Sequence, residues 1–452
     1  MVEAIAIFDI GKTNKKVLLF DRNLKVVFEQ ENKFPETKDE EGFECDDASE
    51  IKGWIIETLR EFGNHSQYRV KAVNFATYGA TLMYLDESGN SLTPPYNYLK
   101  PMPEEIASDL YDRFGGVDEF SRQTASPALG FLNSGLQILW LKKTKPEVFS
   151  RVKSILHFPQ YFSHLLTGKI LSDYTSIGCH TAMWDFDNMA YHPWLEEEGI
   201  RLPGPVSNMT LFASNKNETE ILAGTGIHDS SASLAPYIMQ SREKFILLST
   251  GTWCINMNPF NYEPLTPGQL KNDCLSYLSI NKKPVKSSRL FMGHIHDVNL
   301  ENINSHFNTG SEEYKKVAPK PEVLKRLLNG SNSFFKGGVP EDYIDRKVDL
   351  AGFANFEEAY HRLMMDLTSL CVQSINYILP ENDDIKTVFI SGGFAKNELF
   401  LRLLADKLGN KRVFTSVVDN ATALGAAMVV YEEAMKCPAP EIDLGLKEWG
   451  KL

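Results

Sequence analysis

The chain has 452 residues, 43% apolar and 23% charged, the make-up of an ordinary globular protein with room for more than one core. Its net charge of −12, from 47 basic and 59 acidic residues, argues against nucleic acid or an anionic membrane as the main partner. No basic leader with a long apolar run opens the chain, and no apolar run approaches the ~20 residues of a membrane span, so a cytoplasmic protein is expected.

Residues 4–21, AIAIFDIGKTNKKVLLFD, contain two apolar runs split by a polar, Gly-containing turn and predict a β-hairpin. Asp9 closes the first run, and Gly11, Lys12, Thr13 and Asn14 form the turn. A strand-end carboxylate beside such a turn can hold magnesium next to phosphate oxygens. The Gly11-Lys12-Thr13 triplet is not a Walker A loop. Ala6 stands where that loop needs its first glycine, and a strand follows where a helix is required.

A third strand is expected over residues 25–34, a helix capped by Asp46 or Asp47 to about Phe62, and strands over 70–77 and 81–85. Helices follow over 106–114, 134–143 and 161–166. Between 157 and 184, His157, Gln160, Tyr161, His164, Asp173, His180, Trp184 and Asp185 make a polar and aromatic cluster suited to a sugar pocket. Cys179-His180 has no metal partner at a ligand spacing, and none of the six cysteines forms a C-x-x-C pair, so packed, reduced thiols are expected. The stretch 223–233, AGTGIHDSSAS, puts His228, Asp229 and Ser230 between a Gly-rich turn and a helix over 231–239, where Asp229 or Ser230 can serve as N-cap.

Residues 245–258, FILLSTGTWCINMN, repeat the opening strand–turn–strand unit, so two halves of similar size begin alike. The segment 259–350 reads as irregular. His294 and His296, two apart, can share a strand face there. A helix over 356–379 and a strand over 387–390 run into Gly392-Gly393 and a helix over 398–408, a turn at which backbone can approach a ligand. The small-residue helix from 419 to 428 permits close approach of a nucleotide loop or of another helix.

Taken in order, these stretches resemble the FGGY family of carbohydrate kinases over nearly the whole chain. The carriers are Asp9 to Asp21, LSTGTW at 248–253, the segment around Asp229, and ISGGFAKN at 390–397 with ATALGAA at 421–427. LSTGTW and Ala76-Thr77-Tyr78-Gly79 are closest to the L-rhamnulose/L-fuculose kinase type. Departures are Lys12 for a small residue, Lys16 for Arg, and Gln160 for Asp.

The resemblance implies a two-lobed α/β fold of the ribonuclease H-like (actin/Hsp70/sugar kinase) class with the active site in the cleft. The lobes would be residues 1–241 and 242–452. It implies ATP and Mg2+, a sugar substrate, and no nucleic-acid or membrane partner; a homodimer stays open. Asp229 would be the general base and Asp9 would position Mg2+ through water. Gly11, Lys12, Thr13, Asn14, Lys16, Gly251 and Thr252 would surround the phosphates, and Gly392, Gly393 and Asn397 the adenosine. Thr77, Tyr78, Gly79, His228, Asp229 and Ser230 would hold the sugar. The competing readings are a kinase for xylulose, ribulose or glycerol, an actin- or Hsp70-like ATPase, and a non-catalytic sugar sensor.

Overall fold

The computed structural model describes residues 1–215 and 221–452. Among these, no helix is long and apolar enough to cross a membrane.

The opening residues form the expected hairpin, β1 (Val2–Ile10) and β2 (Lys15–Phe20), extended by β3 (Val26–Asn32). Asp47 caps helix α1 (Ala48–Gly63), its carboxylate accepting from the N–H groups of Ser49 and Glu50 at 2.9 and 3.1 Å. Strand β4 (Tyr68–Thr77) lies parallel to β1. Helix α2 (Phe158–Thr167) covers one face and ends at left-handed Gly168. Strands β5 (Leu211–Ala213), β6 (Leu222–Gly224) and β7 (Ile227–His228) complete a seven-stranded mixed sheet in the order β5-β6-β4-β1-β2-β3, with β7 also paired to β4. β1 is buried on both faces, and so reads as a nearly continuous apolar run.

Helix α3 (Asp229–Gln240) leads into a second seven-stranded sheet. Its strands are β8 (Phe245–Thr250), β9 (Cys254–Asn258), β10 (Cys274–Leu278), β11 (Pro284–Leu290), β12 (Thr387–Gly392), β13 (Arg412–Thr415) and β14 (Lys447–Trp449). The order is β10-β11-β9-β8-β12-β13-β14. Helices α4 (Met292–Phe307), α5 (Phe356–Asn376) and α6 (Glu398–Lys407) pack on it, and α7 (Ala421–Met435) follows.

Two expectations need correction. The segment 259–350 is not irregular: it holds β10, β11, α4 and a helix at Pro321–Asn329. α4 escapes a periodicity reading because its inward face carries polar His296 and Asn299 among the apolar residues. On this helix His294 and His296 point about 200° apart, so they share no face. The small residues of α7 serve helix packing. A Cβ on Gly425 would lie 1.8 Å from the Ala232 carbonyl oxygen of α3, and the Ala426 carbonyl accepts from Asn74 of β4 at 2.9 Å. α7 thus packs back onto the first sheet before the chain returns to the second at β14.

Candidate active site

β1, β4 and β7 run parallel and stop together. Asp9 stands opposite Ala76, Ile10 opposite Thr77, and Thr77 opposite His228. Their carboxyl ends therefore open on one side, where ligands of open α/β sheets bind. The helix over 231–239 begins two residues earlier than expected, so Asp229 is the first residue of α3, directly after β7. Burial, and then the charge of Asp229, push the Asp9 carboxyl up to about 7, with Lys16 opposing. Two carboxylates set against each other in this way fit a divalent cation.

Gly79 makes room for the His228 ring: a Cβ there would lie 2.7 Å from Nε2 and 3.7 Å from His180 Cε1. His228 Nε2 lies 3.4 Å from Asp229 Oδ1, and Ser230 Oγ donates to the same oxygen at 3.3 Å. The backbone of His228 is fixed from behind, its N–H donating to Thr175 Oγ1 at 3.0 Å. Thr175 Oγ1 donates to Asp173 at 2.5 Å, and the Asp173 carboxylate also accepts from Gln160 at 2.9 Å and Asn208 at 2.6 Å.

The cluster expected between 157 and 184 therefore divides. Gln160 and Asp173 buttress His228. His164 bonds a surface carbonyl, Asp185 caps its own turn, and Trp184 is core. His180 alone of the eight comes against the Gly79–His228 contact, with its ring centre 6.3 Å from that of His228. Burial and then the neighbouring His228 hold His180 down at about 4, and burial holds His157 at about 3, so both are neutral acceptors at ordinary pH. Burial also puts the adjoining Cys179 thiol well above its usual range.

The structure turns other expected contacts elsewhere. Thr77 Oγ1 donates to the Tyr78 carbonyl at 2.9 Å, and the Tyr78 hydroxyl donates to Asp46. Both hydroxyl protons are thus used within the protein, which leaves these oxygens only as acceptors. Lys12 is held by Glu36 at 2.5 Å and Asp46 at 3.3 Å, so its ammonium is already neutralised within the protein. Lys15, 1% exposed, pairs with Asp46 at 2.7 Å and donates to the Lys12 carbonyl at 3.0 Å. Asp46 stays below the usual carboxylate range although burial opposes it, because Lys15, Tyr78 and Lys12 surround it. Lys16 lies between Glu29 at 3.3 Å and Glu31 at 3.7 Å. The turn itself is closed by Gly11 N–H donating to the Asn14 carbonyl at 3.0 Å, and Thr13 and Asn14 are exposed.

The second hairpin is built differently. Its turn closes through Gly251 N–H to the Trp253 carbonyl at 2.9 Å and carries no charge. Thr250 Oγ1 donates to the Ser391 carbonyl at 2.5 Å and accepts from Phe394 N–H at 3.1 Å. That clamps the Gly392-Gly393 turn, where Gly392 has φ +86°. Asn397 caps α6 through Oδ1 and donates to the Tyr360 hydroxyl at 2.9 Å, which fixes its side chain at the wall of the adjoining cavity.

A cavity of about 190 Å³ opens here, lined by Gly251, Thr252, His296, Tyr314, Gly393 and Phe394 among others. Its size and flanking rings suit a base and ribose. His296 was singled out from the sequence, though on a strand face with His294; Gly293, Asp297 and Tyr314 were missed. The signal for Gly293 and Asp297 lay in the GHIHD run of 293–297, read as strand-like rather than as the mouth of a helix.

Known proteins align with this arrangement along its length. The model of the "FGGY family of carbohydrate kinases, N-terminal domain" matches residues 4–199, and that of the "Carbohydrate kinase FGGY, C-terminal domain" matches 242–438. The chain is 22% identical to a rhamnulokinase of Oceanobacillus iheyensis, covering 93% of this chain and 91% of that one. It is 24% identical to a rhamnulokinase of Halalkalibacterium halodurans over 92% and 91%. The crystal structure of a carbohydrate kinase from Novosphingobium aromaticivorans superposes with a TM-score of 0.81 at 23% identity, over 99% of this chain and 96% of that one. A xylulose kinase from Lactobacillus acidophilus gives 0.77 at 17% identity, over 99% and 93%. With two lobes, mixed sheets and both family halves in order, the chain belongs to the FGGY family of carbohydrate kinases and is an ATP-dependent sugar kinase on the actin/Hsp70/sugar kinase fold.

Proposed function

We propose that the acceptor is a deoxyketose, L-rhamnulose or L-fuculose, and that residues 1–241 and 242–452 act as two lobes closing on it. The observation that carries this reading is the likeness to two rhamnulokinases over more than nine-tenths of the chain. The close packing of Gly79, His180 and His228 beside Asp229 supports it, since these side chains offer imidazole and carboxylate groups to a sugar's hydroxyls.

In the proposed reaction the sugar hydroxyl lies between Asp229 and the γ-phosphate. Asp229 accepts its proton as the new O–P bond forms, and the bond from phosphorus to the β–γ bridging oxygen breaks to release ADP. Thr13 and Thr252 hold the phosphates: both are exposed, and neither hydroxyl is bonded to another described residue. Asp9, through water, would hold Mg2+, which when bound draws charge from the phosphate oxygens. Closure of the lobes excludes water and limits idle hydrolysis of ATP.

A panel of L-rhamnulose, L-fuculose, D-xylulose, D-ribulose and glycerol, with ADP release as readout, tests the choice. L-Rhamnulose or L-fuculose is expected to give the highest kcat/KM. The xylulose kinases among the structural relatives supply the rival, and a higher kcat/KM for D-xylulose would replace the present reading. ATP turnover indifferent to every sugar would instead favour a client-driven ATPase.

A further inference from the structure

Cys179, His180 and His228 place one ligand atom each within 4.8 Å of the other two. Sulfur and imidazole nitrogen suit Zn2+ and its neighbours rather than Mg2+, which takes oxygen. The chain separates Cys179-His180 from His228 by some fifty positions, so no ligand spacing announces the set.

The tautomers are arranged for a cation. His180 Nδ1 sits 3.0 Å from the Leu132 carbonyl, which can only accept, so the proton is on Nδ1 and the Nε2 lone pair is free. A backbone carbonyl on the far nitrogen is the support that metal-binding histidines use. His228 is 5% exposed, and its Nδ1 is buried with no hydrogen-bond partner. Only Asp229 Oδ1, 3.4 Å from Nε2, competes for its proton, so a lone pair is available there too. Cys179 is 4% exposed and its thiol makes no hydrogen bond to another described residue, so nothing but its proton has to leave. Donors sharing one tetrahedral ion stand ~3.5 Å apart, so the set has to contract by roughly 1 Å through side-chain rotation. The fourth position of a tetrahedral ion is left to water, while the Asp229 carboxylate holds the His228 ring from Nε2.

We propose that Cys179, His180 and His228 form a second cation site, selective for Zn2+ and similar ions, whose occupation shuts the sugar pocket. Binding releases the thiol proton, forms a metal–sulfur bond and draws His228 off Gly79. The inhibitory part of this inference rests on the sugar reading above; the binding part does not.

The test uses the full chain without nucleotide, titrated with Co2+ as the spectroscopic stand-in for Zn2+. A single equivalent is expected to produce a thiolate-to-metal charge-transfer band and the intense visible bands of four-coordination. Cys179→Ser is expected to abolish the charge-transfer band, and His180→Gln to weaken binding by about 100-fold. No thiolate band in the wild type, or a band that survives in Cys179→Ser, overturns the site. His180→Gln decides the matter if the serine variant does not fold, since unchanged Co2+ affinity there also overturns it.

With Zn2+ first stripped by chelation and Mg2+ then supplied in excess, Cys179→Ser is expected to phosphorylate sugar as the wild type does, while added Zn2+ inhibits the wild type at least about 10-fold more strongly, with excess sugar protecting. Equal inhibition of the two proteins overturns the closure of the pocket. A cobalt band in a protein that phosphorylates no sugar of the panel would uphold the site and sink the sugar reading. Sugar phosphorylation without the band would do the reverse.

Discussion

The turn after β1 carries Lys12, with Lys15 and Lys16 opening β2 directly after it; the turn after β8 carries Gly251, Thr252 and Trp253. Each ends the first strand of a hairpin at the head of a seven-stranded sheet, and each closes by one short backbone hydrogen bond. In the first, every ammonium has a protein carboxylate, and the buried Lys15–Asp46 pair ties the turn to Tyr78, next door to Gly79. In the second there is no charge, and the clamp is Thr250 with backbone atoms of the Gly392 turn. The comparison teaches that lysines in a phosphate-like turn need not be phosphate ligands. Here Lys12 and Lys15 tie the turn to Asp46, and the exposed hydroxyls of Thr13 and Thr252, bonded to no other described residue, are the feature the two turns share.

The largest effect is expected between the hairpins. Asp229→Asn should lower kcat for the sugar by ~10³-fold or more while ATP still binds, read by steady-state kinetics and nucleotide titration. Normal turnover in that variant would remove Asp229 from the chemistry. Next comes the bracing pair. Lys15→Met leaves Asp46 buried among fewer cations and should cost roughly 3–5 kcal/mol in denaturant unfolding. A loss within ordinary surface scatter would mean that Lys12 alone suffices.

Thr252→Val sharpens the other side. It should leave the unfolding midpoint in place and raise the KM for ATP about 10-fold, without a like change for sugar. Asp9 supplies a pH test. In the folded, nucleotide-free chain its carboxyl titrates near 7, against an ordinary value of 3.8. Between those values the native state binds more protons than the unfolded chain, so stability falls as pH rises. The contribution is complete below about 4 and gone above about 7. Melting curves across that range should flatten in Asp9→Asn. The smallest effect is Lys12→Ala, expected to cost about 1 kcal/mol through its partly exposed pairs and to leave the KM for ATP within about twofold. A large rise in that KM would return Lys12 to the phosphates.

Much of the fold was legible because it rests on local periodicity. The double-sided burial of β1, the Asp47 cap of α1 and the Gly168 stop of α2 all appear as residue patterns. The segment 259–350 was not legible, because α4 buries His296 and Asn299 and so breaks the apolar period. Within the site, Asp9, Gly79, His228 and Asp229 were found by motif order, and the structure brings them together. Lys12 misleads for a physical reason: its partners, Glu36 and Asp46, sit 24 and 34 positions away and cannot be paired with it from sequence.

By itself the sequence determined the two hairpins, their echo, and the acid that ends the first strand, since these depend on neighbours one turn or one strand apart. The tertiary structure alone decided which polar groups remain free. It paired Lys12 and Tyr78 with carboxylates of the scaffold and sent α7 back to the first sheet. It also set Cys179 and His180 against His228, because a side chain's availability is fixed by the distant groups that reach it first.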